Sequence, residues 1–188
     1  MQKYLSAVII GSLCFCCTCG CLQSTPGAPD AGIEPVTGEG AAPVLLGDAI
    51  AVLDAGMADA LFSFSGYLAY TVIGSGVNSD GAAESWSLLV VPEGRNETRL
   101  LTFTGSSWQD AVWPEEPGNA TAACSMDGIL MPEELFAQNR GVLEEMMKAN
   151  GIVGTDIELN RGVYHVRARG VPDMRELRFD ARTGEPLQ

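Results

Sequence analysis

The chain has 188 residues, 46% of them hydrophobic and 19% charged, with a net charge of −13. Length and composition fit one ordinary globular domain, or two small repeats sharing a core. The charge opposes binding to nucleic acid and to anionic lipid surfaces, since both would repel the chain.

Residues 1–21 carry the clearest pattern. Lys3 supplies a short positive start, and Tyr4–Cys17 is apolar or small throughout. That run is shorter than the roughly 20 residues a spanning helix needs, but it suits the core of a secretory signal. Cys14, Cys16, Cys17, Cys19 and Cys21 close it, so five of the six cysteines sit there. Gly20-Cys21 places a small residue before a cysteine, and Leu22-Gln23-Ser24-Thr25-Pro26 turns polar directly after it. The run resembles the lipobox of prokaryotic membrane lipoproteins, in which the cysteine thiol takes a lipid and becomes the new N-terminus. Thr18 and Cys19 depart from that pattern, which leaves Cys19 or Cys17 open as the modified residue beside Cys21. An uncleaved membrane anchor is the alternative. A metal site is not expected, because the cysteines lie within an apolar segment with no downstream ligand cluster. The expectation is a signal peptide over 1–20, a lipid on Cys21, and a place on the outer face of the cytoplasmic membrane or cell surface. Cys124 is then the one unmodified thiol and reads as a small buried hydrophobe.

A flexible tether is expected over 21–44, where four prolines fall within residues 23–43 among Gly, Ala and acidic residues without a hydrophobic period. From Cys21 to Gly94 there are nine acidic residues and no Lys or Arg; from Arg161 to Gln188, six Arg stand against four acids. Both stretches read first as solvated surface.

The folded unit is expected over 45–188. Leu46, Ile50, Leu53, Met57 and Leu61 recur at helical spacing and predict an amphipathic helix. Strands follow at Tyr67–Ile73, Trp86–Val91 and Arg99–Thr104, separated by turn-rich segments. Asn96-Glu97-Thr98 and Asn119-Ala120-Thr121 are N-glycosylation triplets in expected loops, compatible with an archaeal surface protein, with a bacterial origin as the alternative. Ser106–Gly118 reads as an acidic, Pro-containing connection carrying Trp108 and Trp113. Exposed aromatics anchor interfaces, so these two are the candidate partner-binding residues; the other reading, which is favoured, has them plug the open end of the sheet.

A second helix is predicted over Pro132–Ala149, with Pro132 at its first position and a stripe of Leu135, Phe136, Val142, Leu143, Met146 and Met147. Strands follow at Thr155–Leu159, Val163–Ala168 and Glu176–Asp180, with a tight turn at Asn160-Arg161-Gly162. Alternation in the last two describes one covered and one wet face, Leu177 and Phe179 opposite Glu176, Arg178 and Asp180. Helix and three strands, twice over, suggest an α+β fold with an internal duplication, repeats spanning 45–105 and 131–188.

The ending Leu177-Arg178-Phe179-Asp180-Ala181-Arg182-Thr183-Gly184-Glu185-Pro186-Leu187 resembles that of PepSY-type domains, which finish with a strand, an Asp, a small residue and Thr-Gly-Glu before a final apolar residue. The resemblance covers residues 132–188; the first half shares only the order of elements. It implies PepSY-like helix-plus-antiparallel-sheet units in a secreted or lipid-anchored protein, some relatives of which are thought to restrain peptidases.

Little in the sequence points to catalysis. His165 is the one histidine; it falls mid-strand and reads as a sheet-surface residue. No zinc ligand set, calcium loop or nucleotide-binding glycine motif occurs, so no cofactor is expected. A non-catalytic binding or scaffolding domain is expected, meeting the membrane through its lipid and a peptidase or other envelope protein through its surface. The alternatives are an envelope hydrolase using His165 or acidic residues, and a purely structural surface component.

Overall fold

The computed structural model describes residues 42–114, 126–170 and 174–188. The signal segment with Cys21, the bulk of the tether, Asn119 and Cys124 lie outside these residues.

The tether ends in a fixed point. Val44 exchanges two backbone hydrogen bonds with Ala83, of 2.9 and 3.0 Å, and its carbonyl accepts a third from the Trp86 indole at 2.8 Å. Helix α1 (Leu46–Ala58) starts directly after it. It buries Leu46, Ala49, Leu53 and Gly56, a face turned slightly from the expected one. Leu61 is not on it: the helix stops earlier, and Leu61 is 77% exposed.

The stop is a Schellman closure. Leu61 N–H donates to Gly56 O at 2.9 Å and Ala60 N–H to Met57 O at 3.1 Å, which requires Ala60 to adopt φ of 55°. Alanine in that left-handed conformation costs roughly 1–2 kcal/mol. Ala60→Gly is therefore expected to raise the unfolding free energy by about 1 kcal/mol, after allowing for glycine's freedom in the unfolded chain. An urea titration checks this, and an unchanged or lowered midpoint would contradict the closure. Gly56, a poor helix former, has a packing reason: a Cβ there would lie 2.8 Å from the Phe62 ring.

Four strands follow: β1 (Tyr67–Ser75), β2 (Ser85–Pro92), β3 (Thr98–Phe103) and β4 (Trp108–Trp113). The first three match expectation. β4 does not; it occupies the segment read as an aromatic connection, and it pairs with β3 from Thr98↔Trp113 to Phe103↔Trp108.

The second helix is two. α2 (Pro132–Gln138) and α3 (Arg140–Met147) break at Asn139, which sits at φ −109° and ψ 20°. Its side-chain amide donates to Leu135 O at 3.2 Å and to Gly184 O at 3.0 Å. Asn139 thus closes α2 and ties the break to the turn after the seventh strand. Leu135, Phe136, Leu143 and Met146 are buried, whereas Val142 is 43% exposed at the edge of the stripe.

Strands β5 (Ile152–Asn160), β6 (Val163–Gly170), β7 (Met174–Asp180) and β8 (Pro186–Leu187) complete the chain. Arg161 and Gly162, with φ of 51° and 77°, make the two-residue hairpin between β5 and β6. Asp180 starts the final turn: its carboxylate accepts the N–H groups of Arg182 and Thr183, both at 2.9 Å. Those bonds hold its carboxyl below the usual range.

All eight strands form one antiparallel sheet in the order β4-β3-β2-β1-β5-β6-β7-β8. Each half is thus a helical segment followed by a four-strand meander, and the halves meet at their first strands. Thr71↔Asn160 through Gly74↔Ile157 form that seam. The fold is α+β and mostly sheet, with four strands per half instead of the expected three. One continuous core joins residues of α1, α2 and α3 to those of both meanders. It covers one face of the sheet.

Candidate functional site

The opposite face is not covered by any described element. Register assigns its residues, because side chains alternate across a strand and partners in a pair share a face. Leu88, Val90, Leu101 and Trp86 are fully buried on the helix side. Their neighbours Ser85, Ser87, Leu89 and Val91 therefore point to the open side. Pairing carries the same face through Leu68, Thr71, Ile73 and Ser75 of β1, Thr98, Leu100 and Thr102 of β3, and Gln109, Ala111 and Trp113 of β4.

No charged side chain stands among these β1–β4 positions, although the chain carries a net −13. Leu68 and Ile73 are 43% and 38% exposed. With Leu89, Val91, Leu100 and Trp113, they make a contiguous half-exposed apolar stretch flanked by Ser and Thr. Apolar surface gathered this way marks contact with another body far more often than scattered single residues do.

Past the seam the open face changes character. Glu158, His165 and Arg178 share one cross-strand row, and Asp156, Arg167 and Glu176 the next. Arg167 bonds Glu158 at 2.5 Å and Glu176 at 2.9 Å; His165 Nδ1 lies 3.0 Å from Glu176 Oε1; Arg169 bonds Asp156 at 2.7 Å. Arg167 first, then His165, hold the Glu176 carboxyl below its usual range. Opposite charges are interleaved, so the groups satisfy one another. Pairs this exposed contribute little to stability; they keep this half of the face wet. Of the six Arg at this end of the chain, Arg167 and Arg169 thus meet carboxylates of their own sheet.

His165 accordingly stands among these ion pairs, with Glu176 of the neighbouring row as its partner. Among the described residues, no three His, Cys, Asp or Glu side chains stand close enough to hold a metal ion.

The two tryptophans diverge. Trp108 faces the helices: its indole N–H donates to Ala49 O at 2.7 Å, and its ring lies 5.2 Å from that of Phe103. It seals the sheet against α1. Trp113, five positions on, points to the open face. The two do not share a surface. Asn96 is exposed in the β2–β3 turn, while Thr98 of the same triplet is 3% exposed and its hydroxyl has no hydrogen-bond partner among the described residues.

On the helix side, a cleft of about 380 Å³ opens between α1 and the β4 end of the sheet, lined in part by Val52, Leu61, Phe62 and Trp108. A second, of about 440 Å³, lies between α3 and β7 near Val142, Met146 and Leu177.

The uncharged face went unread in the sequence because β2 carries an unbroken apolar run, Leu88–Val91, which hides which residues alternate outward. The signal that could have found it is the lack of Asp, Glu, Lys and Arg from Ser85 to Pro92 and from Leu100 to Gln109.

No protein-family model and no curated protein matches the chain. Its fold is similar to the crystal structure of a putative lipoprotein from Clostridium difficile 630, with a TM-score of 0.50 and 15% identity over 80% of this chain and 94% of that one.

Proposed function

We propose that this chain is a lipid-anchored protein of the outer face of the cytoplasmic membrane or cell surface, whose folded unit binds another envelope protein and carries out no chemistry of its own. The observation that carries the binding reading is the uncharged, half-exposed apolar face of β1–β4 in a strongly acidic protein. The anchor rests on residues 1–21, and the structural neighbour is itself described as a putative lipoprotein. The PepSY resemblance of the chain's end makes a peptidase the first class of partner to examine. The matching element order on either side of the β1–β5 seam is what a duplication of a PepSY-like unit would leave. If Asn96 carries a glycan, its attachment precedes folding, because the folded protein hides the Thr98 hydroxyl that the modifying enzyme reads.

Capture from solubilised membranes with the mature chain is expected to recover a partner that is lost with the Leu68→Glu, Ile73→Glu double variant. Both positions are more than a third exposed, but Ile73 lies opposite Glu158 across the seam, so circular dichroism checks that the variant still folds. Cys21→Ser is expected to release the protein from the membrane fraction with its fold intact. Turnover of a peptide, ester or glycoside that disappears in His165→Ala would reject the reading.

A further inference from the structure

The geometry points to the outer edge of β4, unpaired among the described residues, as a docking site for an extended segment of another protein, apolar at its centre and basic at its ends. This deepens the binding reading by adding a second contact, at the sheet's edge instead of its face.

β4 is the terminal strand of the eight-stranded sheet. Thr104 N–H donates to Ser107 O at 3.4 Å, which sets Thr104 and Ser107 as a hydrogen-bonded pair at the start of the β3–β4 hairpin. Bonded and non-bonded pairs alternate along an antiparallel ladder. Trp108, Asp110 and Val112 are thus the non-bonded members, and their N–H and C=O groups point outward along the edge. Among the described residues nothing pairs with them. Natural sheets blunt such edges with lysine, proline, or a bulge. β4 reads Trp-Gln-Asp-Ala-Val-Trp and its pairing with β3 is unshifted over six residues, so its one protecting device is the inward charge of Asp110, which Arg99 neutralises.

The chemistry that satisfies a row of outward amides and carbonyls is another strand, and the pockets beside it select the side chains. Here the pocket is present. The side chains of Trp108, Asp110 and Val112 point to the helix side, where the cleft of about 380 Å³ adjoins the edge. An added strand would place alternate side chains on that same side, one of them over Val52, Leu61 and Phe62. It would also cover Val112, which is 61% exposed. One large apolar residue fits the cleft's size and lining.

Charge fixes the ends. Asp48, Val52 and Asp59 lie along one flank of α1 by helical spacing, and both aspartates are exposed. Neither is salt-bridged among the described residues, whereas Asp110 is neutralised by Arg99 across the β3–β4 pair, at 2.5 and 2.8 Å. The flank of α1 beside the cleft is therefore acidic, while in the cleft wall Asp110 is offset by Arg99 and stands with the uncharged Ser106 and Ser107. A second copy of this chain would bring the same acidic flank against itself, which disfavours self-pairing.

The test is fluorescence anisotropy with the full mature chain in detergent. The probe is a labelled peptide of alternating threonine and valine, with one central phenylalanine and a lysine at each end. Binding is expected, weakening at least about tenfold when the phenylalanine becomes aspartate, when alternate amides are N-methylated, and in Val52→Asp. Val112→Pro removes an outward donor without touching the β3 ladder and is expected to weaken binding equally. Circular dichroism reports whether either variant still folds, and the two peptide changes stand independently of protein folding. Absence of binding up to the peptide's solubility, or indifference to N-methylation, overturns the proposal. So does a concentration-dependent dimer abolished by Val112→Pro, which would give the edge to a second copy, and binding seen only after removal of residues 115–125, which would give it to the chain itself. Capture through the open face is expected to survive Val112→Pro, so loss of the edge site and loss of the face are separable.

Discussion

Trp86→Ala is expected to lower the unfolding free energy by about 3–5 kcal/mol, as large-to-small aromatic changes in a core do. Trp86 is fully buried beside the seam, and its indole N–H holds the carbonyl of Val44 at 2.8 Å. The variant therefore opens a cavity and also releases the start of the folded unit. The ring is accommodated by Gly74, its direct partner across the β1–β2 pair. A Cβ on Gly74 would collide with the Trp86 ring and lie 2.9 Å from Ile157 Cγ2. Gly74→Ala alone is thus expected to destabilise by about 1–3 kcal/mol through overpacking. In the Trp86→Ala background the same change should be milder, because the ring's space is free and only the Ile157 contact remains. Denaturant titration of the four proteins in this cycle measures the coupling. Additive costs would show that the two residues do not share one space.

In the other half, Phe179→Ala is expected to cost about 3–5 kcal/mol, while Arg178→Ala costs about 0.5 kcal/mol or less. Phe179 is fully buried, opposite Tyr164 on β6, in the same core as Leu135, Phe136, Leu143 and Met146. Arg178 is on the open side and donates to the terminal carbonyl of Gln188 at 2.8 Å, where water replaces the contact easily. A one-residue slip of β7 would invert these costs, so the pair of measurements reads the register directly. Equal costs would contradict it.

The sequence is most legible where local patterns decide the structure. In β6 and β7 apolar and charged residues alternate without exception from Tyr164 to Ala168 and from Glu176 to Asp180, and the register they imply is the one found. The Arg161-Gly162 turn is equally local. β4 was hidden because Asp110 interrupts its apolar pattern and a Ser-Ser pair precedes it. Its charge is acceptable there only because Arg99, adjacent in space but 11 residues away in sequence, meets it. Asn139 gave no sign of a break, since the bond that rewards it runs to Gly184 across 45 residues.

The order of strands is not local at all. Nothing in β1 or β5 announces that they pair, because both are central strands and their neighbours are chosen by the meanders that each begins. The open face depends on that order. Joining the halves by their first strands places the ion-paired rows of β5–β7 on one side of the seam and the uncharged rows of β1–β4 on the other. Candidate partner contacts therefore gather in the first half, and of the two tryptophans only Trp113 stands on the open face.

Photo-crosslinking in intact cells tests the binding reading most directly. A benzoylphenylalanine placed at Ile73 of the full-length, lipidated chain is expected to form an adduct with a protein on irradiation, and the same group at Val142, exposed on the helix side, is expected to form none at that mass. Absence of an adduct from Ile73, with the protein present at the membrane, would contradict the assignment of the β1–β4 face as the binding surface.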